Sequence, residues 1–406
     1  MDLPDWAVPI QDLTTEEILY GARSTKFRYE LYTHDSATGV DALVGSLDGV
    51  KAGGLMRWVS GVPVKKSVTL TVVDLAESEP GKLRISDVNR VTIRVRPVMV
   101  IEGLLEIPLS MYVVTGAHEV WSDTGREFEL ELHDKSAVLN EDLMDETFTA
   151  DTATPVLEIV RSVVASAGET IAVDGSDTRT LTSEMVWPVG TPKLTIVNEL
   201  LYDVLDYNTL WVDGEGNFRA TPYVRPAARS IRYTVLNDET GERLMRELTD
   251  GARSIYSPDW ARDRDTYRVP NKVTAVQQGM VDGPPLTGTA TNENADSDLS
   301  YEARGGRWIS SPPLMVEVPD FSGEPDPDAA AVAFLVEKAR RSLIASSSVQ
   351  AAVSVECLPI PLELLDAIRF ASAPAGIDAR HTVRSVSFPL RFDGLMSLEL
   401  QEVVDL

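Results

Sequence analysis

The sequence has a single cysteine, Cys357, and four histidines, His34, His118, His133 and His381, among 406 residues. One cysteine excludes a disulfide within the chain and any cysteine zinc cluster. Long apolar runs are also missing, and every uninterrupted stretch falls far below the ~20 residues that span a bilayer. The opening MDLPDWAVPIQDLTTEE has neither a basic segment nor an apolar core, so it does not read as a signal peptide. The chain is expected to fold in a reducing cytoplasm, with no membrane insertion. Positive charge is scarce as well: 37 Lys and Arg stand against 63 Asp and Glu, for a net charge of −26. That excess repels phosphates and anionic membranes, so stable nucleic-acid binding is not expected. Its one favourable use would be a passage through which a polyanion slides without sticking.

What is present is an ordinary globular composition, 43% hydrophobic and 25% charged, on a chain long enough for about two to four domains. The first third reads as β-structure. In KFRYELYTHD (26–35), Phe27, Tyr29 and Leu31 alternate on one face, and SVTLTVVDL (67–75) and RVTIRVRPVMVI (90–101) repeat the pattern. AHEVWSDTGREFELELHD (117–134) reads as two strands around Asp123-Thr124-Gly125. One short helix is expected here, at TTEEILYGA, where Thr14 and Glu17 form a capping box.

The middle changes period. TPVLEIVRSVVASAG (154–168) sets Val156, Ile159, Val160, Val163 and Val164 on one helical face, with Pro near the start and Gly at the end. TPKLTIVNELLYDVLDYN (191–208) repeats the spacing with Leu194, Val197, Leu200, Leu201, Val204 and Leu205. It runs into LWVDGEGNFRATPY (210–223). A calcium loop starting at Asp213 would need Gly at its sixth position and Glu at its twelfth, which are Phe218 and Val224. The stretch is therefore a hairpin turned by Asp-Gly. Strands return in YRVPNKVTAVQQG and PPLMVEV, separated by a polar loop (281–300) read as a surface excursion. A helix spans 327–346, and strands at SVQAAVSVECLPI, RHTVRSVSFPL and LMSLELQEVV close the chain, the last two around Asp393-Gly394. The expected fold class is mainly β with an α/β insertion, divided at about 1–150, 151–245 and 246–406.

No catalytic, cofactor-binding or metal-ligating residues are expected. His118-Glu119 opens like a zincin motif, but Ser122 stands where its second His belongs. Asp123-Thr124-Gly125 resembles an aspartic-protease triplet, a chemistry that needs two such loops. Cys357 with His381 or His34 is the one nucleophile–base pair on offer. Cys357 lies mid-strand beside Glu356, without the cation or helix N-terminus that would make a thiolate.

The run VWPVGTPKLTIVNELLYDVLDYNTLWVDGEGNFRATPYVRP and the later VPNKVTAV resemble the tail-tip hub, or minor tail, proteins of long-tailed actinobacterial phages. HDKSAVLNED, the helix from Pro327 and VRSVSFPLRFDGLMSLELQEV extend the match over most of the chain. Hubs of this kind often carry Gly-Asp after a late Pro-rich turn. Here PIPLELLDAIRF keeps only Asp366. Such hubs are similar to the central hub of contractile-phage baseplates and the base of VgrG spikes. The resemblance implies a non-enzymatic homotrimer with two tail-tube-like β-barrels per chain, adapting a six-fold tube to a three-fold tip. The helices at Thr14 and Pro327 would then each flank one barrel. It also implies a place in the virion, no cofactor, and contacts with the distal tail protein or tail tube, the tape measure protein and other tail-tip proteins. Genome DNA would pass only through the lumen. Many relatives add a peptidoglycan-cleaving domain, for which no room is expected here. The alternatives are a tail-tip peptidoglycan hydrolase and a receptor- or glycan-binding tail protein.

Overall fold

The computed structural model describes residues 8–9, 24–101, 105–122, 125–237, 256–264, 269–278, 284–295, 297–348 and 351–403. The first strands are β1 (Val8–Pro9), β2 (Thr25–Asp35), β3 (Val40–Leu47), β4 (Gly54–Val59), β5 (Lys66–Val73), β6 (Lys82–Leu83), β7 (Ile93–Ile101), β8 (Leu105–Pro108), β9 (Tyr112–Ser122) and β10 (Gly125–Asp134). Short strands follow: β11 (Phe148–Ala150), β12 (Ile171–Val173), β13 (Met185–Trp187), β14 (Trp211–Val212) and β15 (Phe218–Ala220). The last group is β16 (Ile231–Asn237), β17 (Tyr256–Arg264), β18 (Lys272–Gln278), β19 (Thr287–Thr291), β20 (Leu314–Glu317), β21 (Ala351–Cys357), β22 (Ala367–Ser372), β23 (Ile377–Leu390) and β24 (Met396–Glu402). The α-helices among the described residues are α1 (Ser136–Glu141), α2 (Val156–Ser166), α3 (Lys193–Asn198) and α4 (Pro327–Ser348). The chain is mainly β, as its alternating patterns predict. The helix expected from Thr14 lies outside the described residues.

Sixteen strands join one sheet, with the order β17-β21-β24-β23-β4-β5-β10-β9-β7-β2-β3-β6 and side branches to β22, β16, β8 and β1. Inside that order one arrangement occurs twice. β4, β5, β10 and β9 lie side by side as first, second, fourth and third in chain order, and so do β17, β21, β24 and β23. In both units the third strand is long and its N-terminal end pairs elsewhere. β9 meets β7 through Tyr112 and Val113, and β23 meets β22 through Ile377–Thr382. In both, the register then slips by one residue, at Thr115 in β9 and at Arg384 in β23. Such a bulge bends a strand and lets one strand serve two sheet directions. Beside each slip stands the same triplet, Leu130-Glu131-Leu132 and Leu398-Glu399-Leu400, with Leu132 opposite Val114 and Leu400 opposite Val383.

The two units meet through antiparallel β23 and β4, where Val386 pairs with Trp58 and Phe388 with Met56. Alternation sends Met56, Trp58, Leu70, Phe128, Leu130, Val355, Phe388 and Leu398 into a single core. Among the described residues the pairing closes no barrel; the two β-rich ends share one sheet and one core.

A second core is built by α2, α3 and the Trp211 hairpin, from Val156, Val160, Val164, Leu194, Leu201, Val212 and Phe218. The helix expected over 191–208 starts after Pro192, whose extended backbone (ψ 136°) caps it. It widens into a π-helical stretch, Glu199–Val204, and is followed by Asp206 at φ 59°. The hairpin turns at Asp213, whose carboxylate accepts the Asn217 N–H at 2.8 Å, while Gly216 takes φ 94°. Its second strand, β15, also pairs in parallel with β12.

A third core lies between α4 and the small sheet β19-β18-β20, with Leu335, Ala339 and Leu343 on Val273, Ala275 and Val316. The stretch 281–300 is therefore not only a surface excursion, because it supplies β19. The sequence disguised this strand as a loop through Gly288. That glycine is needed because α4 lies so close that a Cβ would meet the Leu335 carbonyl carbon at 2.5 Å.

Candidate functional site

The residues that could have made a catalytic site are dispersed. Cys357 is buried opposite Met396 of β24, while His381 pairs with Glu402 of the same strand. From Met396 to Glu402 an extended strand covers roughly 20 Å, at ~3.3 Å per residue, so thiol and imidazole do not meet. Burial also holds the His381 imidazole below its ordinary range. His34 is committed to Asp41 (2.9 Å) and the Gly168 carbonyl (3.0 Å). His118 stands across from Glu129, and His133 touches the Thr115 hydroxyl at 2.7 Å. Gly125 pairs with Ser122 across β9 and β10, and Asp123 and Thr124 lie outside the described residues. Among the described residues, no three His, Cys, Asp or Glu side chains are grouped to hold a metal.

The feature that stands out is a surface, the outer face of the two joined units. It runs unbroken across the eight strands β17-β21-β24-β23-β4-β5-β10-β9. Strand alternation that buries the leucines and phenylalanines on one side sets small hydroxyls and carboxylates on the other. One row crosses Glu356, Ser397, Ser387, Arg57, Ser67 and His133 in hydrogen-bonded register. The next crosses Ala261, Ser354, Glu399 and Ser385. On β5 and β10 the pairs are Thr69–Glu131 and Thr71–Glu129.

The acids Asp259, Asp263, Glu356, Glu399, Glu127, Glu129 and Glu131 stand on this face against Arg57 and, at its rim, Lys51, which is paired with Glu127 at 2.6 Å. A shallow groove of about 620 Å³ crosses its β17–β4 half, lined by Arg57, Asp259, Ser354, Glu356, Ser385, Ser387, Ser397 and Glu399. Trp121, 71% exposed near the end of β9, stands opposite Arg126 and so alternates to the Phe128 side, while Phe392, 76% exposed, lies in the turn between β23 and β24. Sequence reading found the alternation but not the face, because only pairing between strands about 330 residues apart, Arg57 of β4 with Ser387 of β23, assembles it.

Buried ion pairs hold the other cores to this sheet. Lys66 of β5 donates to Glu363 (2.8 Å) and to the Val212 carbonyl (2.8 Å), joining both units to the Trp211 hairpin. Burial pushes Glu363 up despite Lys66, and pushes Asp366 up as well. Burial lowers the neighbouring Lys65, bonded to the Leu210 carbonyl, to about 8. At the other seam Arg94 and Lys135 clamp Asp41 (2.8 and 3.1 Å) and Glu169, which follows α2. Burial works against the Asp41 charge, yet Lys135 and Arg94 outweigh it and hold that carboxyl below its usual range. Half-satisfied buried charges are costly, so these clusters fix the seams rather than leave them free to slide.

No family model matches the sequence, and no curated protein does. Solved structures do. A tail protein from Neisseria meningitidis MC58 superposes with a TM-score of 0.59 over 93% of this chain and 97% of its own, at 12% identity. The fold is shared with phage tail proteins. The 43 kDa tail protein of prophage MuSo2 from Shewanella oneidensis matches at TM-score 0.54, over 92% of this chain and 98% of its own, with 14% identity. The Francisella PdpA–VgrG complex matches at 0.52 and 8% identity, over 94% of this chain and 58% of the longer one. At such identities the likeness speaks for the fold alone.

Proposed function

We propose that this chain is a structural, non-enzymatic hub of a phage-type tail tip, a homotrimer whose eight-strand faces close around a channel for the genome. The observation that carries the reading is the duplicated unit and the join it leaves unmade. Within the chain, the third strand of one unit (β23) pairs with the first strand of the other (β4). The corresponding partners, β9 and β17, each have an open edge. β17 pairs only with β21, and β9 beyond Val113 pairs only with β10 among the described residues. An open edge is a hazard that proteins cover. Joining β9 of one copy to β17 of the next repeats the internal join and extends the face.

The resemblance to tail hubs supplies three copies, and closed rings are how repeated head-to-tail joins end. About 24 strands spaced ~4.8 Å give a ring roughly 115 Å around, wide enough for a duplex. Six similar units in a three-fold ring would suit a six-fold tube, and the neighbours expected are the tail tube or distal tail protein and the tape measure protein. The likeness to actinobacterial hubs rests on the sequence motifs and belongs to this proposal.

The duplication also predicts register. Ser387 pairs with Arg57 and Pro389 with Leu55 inside the chain, which places His118 opposite Asp263 and Val120 opposite Ala261 between copies. Residues directly opposite lie ~5 Å apart, within disulfide reach. A chain carrying Val120→Cys and Ala261→Cys with Cys357→Ala should close, on oxidation, into a covalent ring of three. A product that stays monomeric under conditions where tail tips assemble would overturn the trimer and its register together.

A further inference from the structure

The third strand of each duplicated unit turns three side chains to the core side, and the two sets have opposite fates. On β23 they are Val386, Phe388 and Leu390, all buried, because β4 lies alongside and sets Trp58, Met56 and Gly54 directly opposite. Aligning Leu130-Glu131-Leu132 with Leu398-Glu399-Leu400 sets Ala117, opposite Leu130, where Val386 stands opposite Leu398. Ala117, Glu119 and Trp121 of β9 thus match the three on β23, yet all are exposed. Trp121 is held in place: its indole N–H donates to Glu119 at 2.6 Å, and the Arg126 guanidinium lies over its ring at 5.4 Å. Arg126 also donates to Glu119, at 2.8 Å. Such a fixed indole on the core side gains from burial only when another strand covers it.

β17 carries the other half. Trp260 and Arg262 stand opposite Val355 and Val353, both buried, so they too turn to the core side. Trp260 is half-buried, edge-on to Phe370 at 5.0 Å between centroids. Arg262 is exposed and paired with Glu402 at 2.7 Å. Val353 and Val355 face Leu400 and Leu398, as Val68 and Leu70 face Leu132 and Leu130, which matches Trp260 to Gly54 and Arg262 to Met56.

We infer that copies of this chain recognise each other through Trp121 on Trp260 and Glu119 on Arg262 of the next copy. The inference rests on the hub reading and its β9–β17 join. Inside the chain Leu390 stands opposite Gly54 and Phe388 opposite Met56. Carried to the join between copies, those pairs become Trp121–Trp260 and Glu119–Arg262. Residues directly opposite on antiparallel strands hold their Cβ atoms ~5 Å apart, and both aromatic and opposite-charge pairs are favourable there. The four charges alternate across the join as Arg126, Glu119, Arg262 and Glu402. Phe388 and Met56 are buried at the internal join, so the matching charges are buried between copies, where a charge facing no opposite partner is costly. An edge that cannot offer a cation to Glu119 and an aromatic to Trp121 is refused. The chain's own β17 offers both, which favours a second copy over a strand from another protein.

The test follows assembly of the full chain into rings, beside the chain carrying Val120→Cys, Ala261→Cys and Cys357→Ala. Trp121→Ala should raise the concentration for half-assembly by about tenfold or more, the scale of an aromatic anchor. The melting temperature of the single chain should not change, since the side chain is 71% exposed. Glu119→Arg should raise that concentration similarly, and adding Arg262→Glu should bring it back toward that of the unchanged chain. Acrylamide quenching of Trp121, read as the difference from Trp121→Phe, should fall on assembly. If the cysteine-bearing chain closes its covalent ring while Trp121→Ala or Glu119→Arg assembles as readily as the unchanged chain, these contacts are wrong and the trimer stands. A double variant no better than Glu119→Arg alone overturns the ion pair. Normal rings of Trp121→Ala that fail to complete tails give Trp121 to another tail protein and overturn the inference as well. A cysteine-bearing chain that never links removes the join itself, and the inference falls with it.

Discussion

Leu365 takes φ 70°, a left-handed conformation that costs a residue with a Cβ about 1–2 kcal/mol. It stands directly before Asp366, where hubs of the resembling family often place glycine. The backbone there is held from three sides, which explains how the strain persists. Leu365 N–H donates to the Val383 carbonyl, Val383 N–H to the Asp366 carbonyl, and Arg229 donates to the Leu365 carbonyl at 2.7 Å. Asp366 in turn accepts the Glu363 N–H at 2.9 Å, fixing the carboxyl that meets Lys66. Leu365→Gly should relieve the strain and lose about 0.4–1 kcal/mol to greater freedom of the unfolded chain, leaving a small net gain. Leu365→Asn, which tolerates this conformation with less of that entropy loss, should gain at least as much. Thermal unfolding checks both, and a lower midpoint for each would mean that the leucine side chain matters more than its backbone. The missing glycine was legible in the sequence, but its consequence was not, since only the surrounding hydrogen bonds show that the turn is still made.

At the scale of elements, local pattern and turn chemistry carried much of the reading. The face of α2 appears in the core as its spacing requires, and Asp213 turns the hairpin because its side chain can bond the chain four residues on. The α3 stretch began later than expected because Pro192 caps rather than enters the helix, and it widened where Glu199 begins a π turn. Neither effect has a strong sequence signal. β19 was hidden for a different reason: its glycine marks close packing against α4, not a bend. Leu201, fully buried between α2 and the Trp211 hairpin, decides whether this second core is structural. Leu201→Ala should cost about 2–5 kcal/mol, the range for removing a buried leucine side chain, read by denaturant unfolding. An unchanged midpoint would place the helix at the surface, against the packing described here.

For the whole molecule, the duplicated strand order was the hardest feature to read ahead of the structure. A three-residue likeness, Leu-Glu-Leu at 130–132 and 398–400, is too short to register as a repeat, and its meaning lies in pairing. The charge, by contrast, was plain in the sequence, but its placement was not. Carboxylates outnumber cations on the proposed channel wall, interleaved with serines that offer no fixed charge for a phosphate to hold. Duplex DNA carries about one negative charge per 1.7 Å, so even weak cationic contacts repeated along a channel would add up against movement. Reversing three of the wall carboxylates, Glu129→Lys, Glu131→Lys and Glu399→Lys, puts nine new cations in a ring of three copies while leaving the buried side of each strand untouched. Tails carrying this variant should assemble normally and release their DNA more slowly, with the delay shrinking as salt is raised, because contacts with phosphate weaken steeply with ionic strength. The same three reversals placed on the outer wall should leave release unchanged. If both sets slow release equally, or neither does, the acidity serves the solubility of the assembly rather than the passage of DNA.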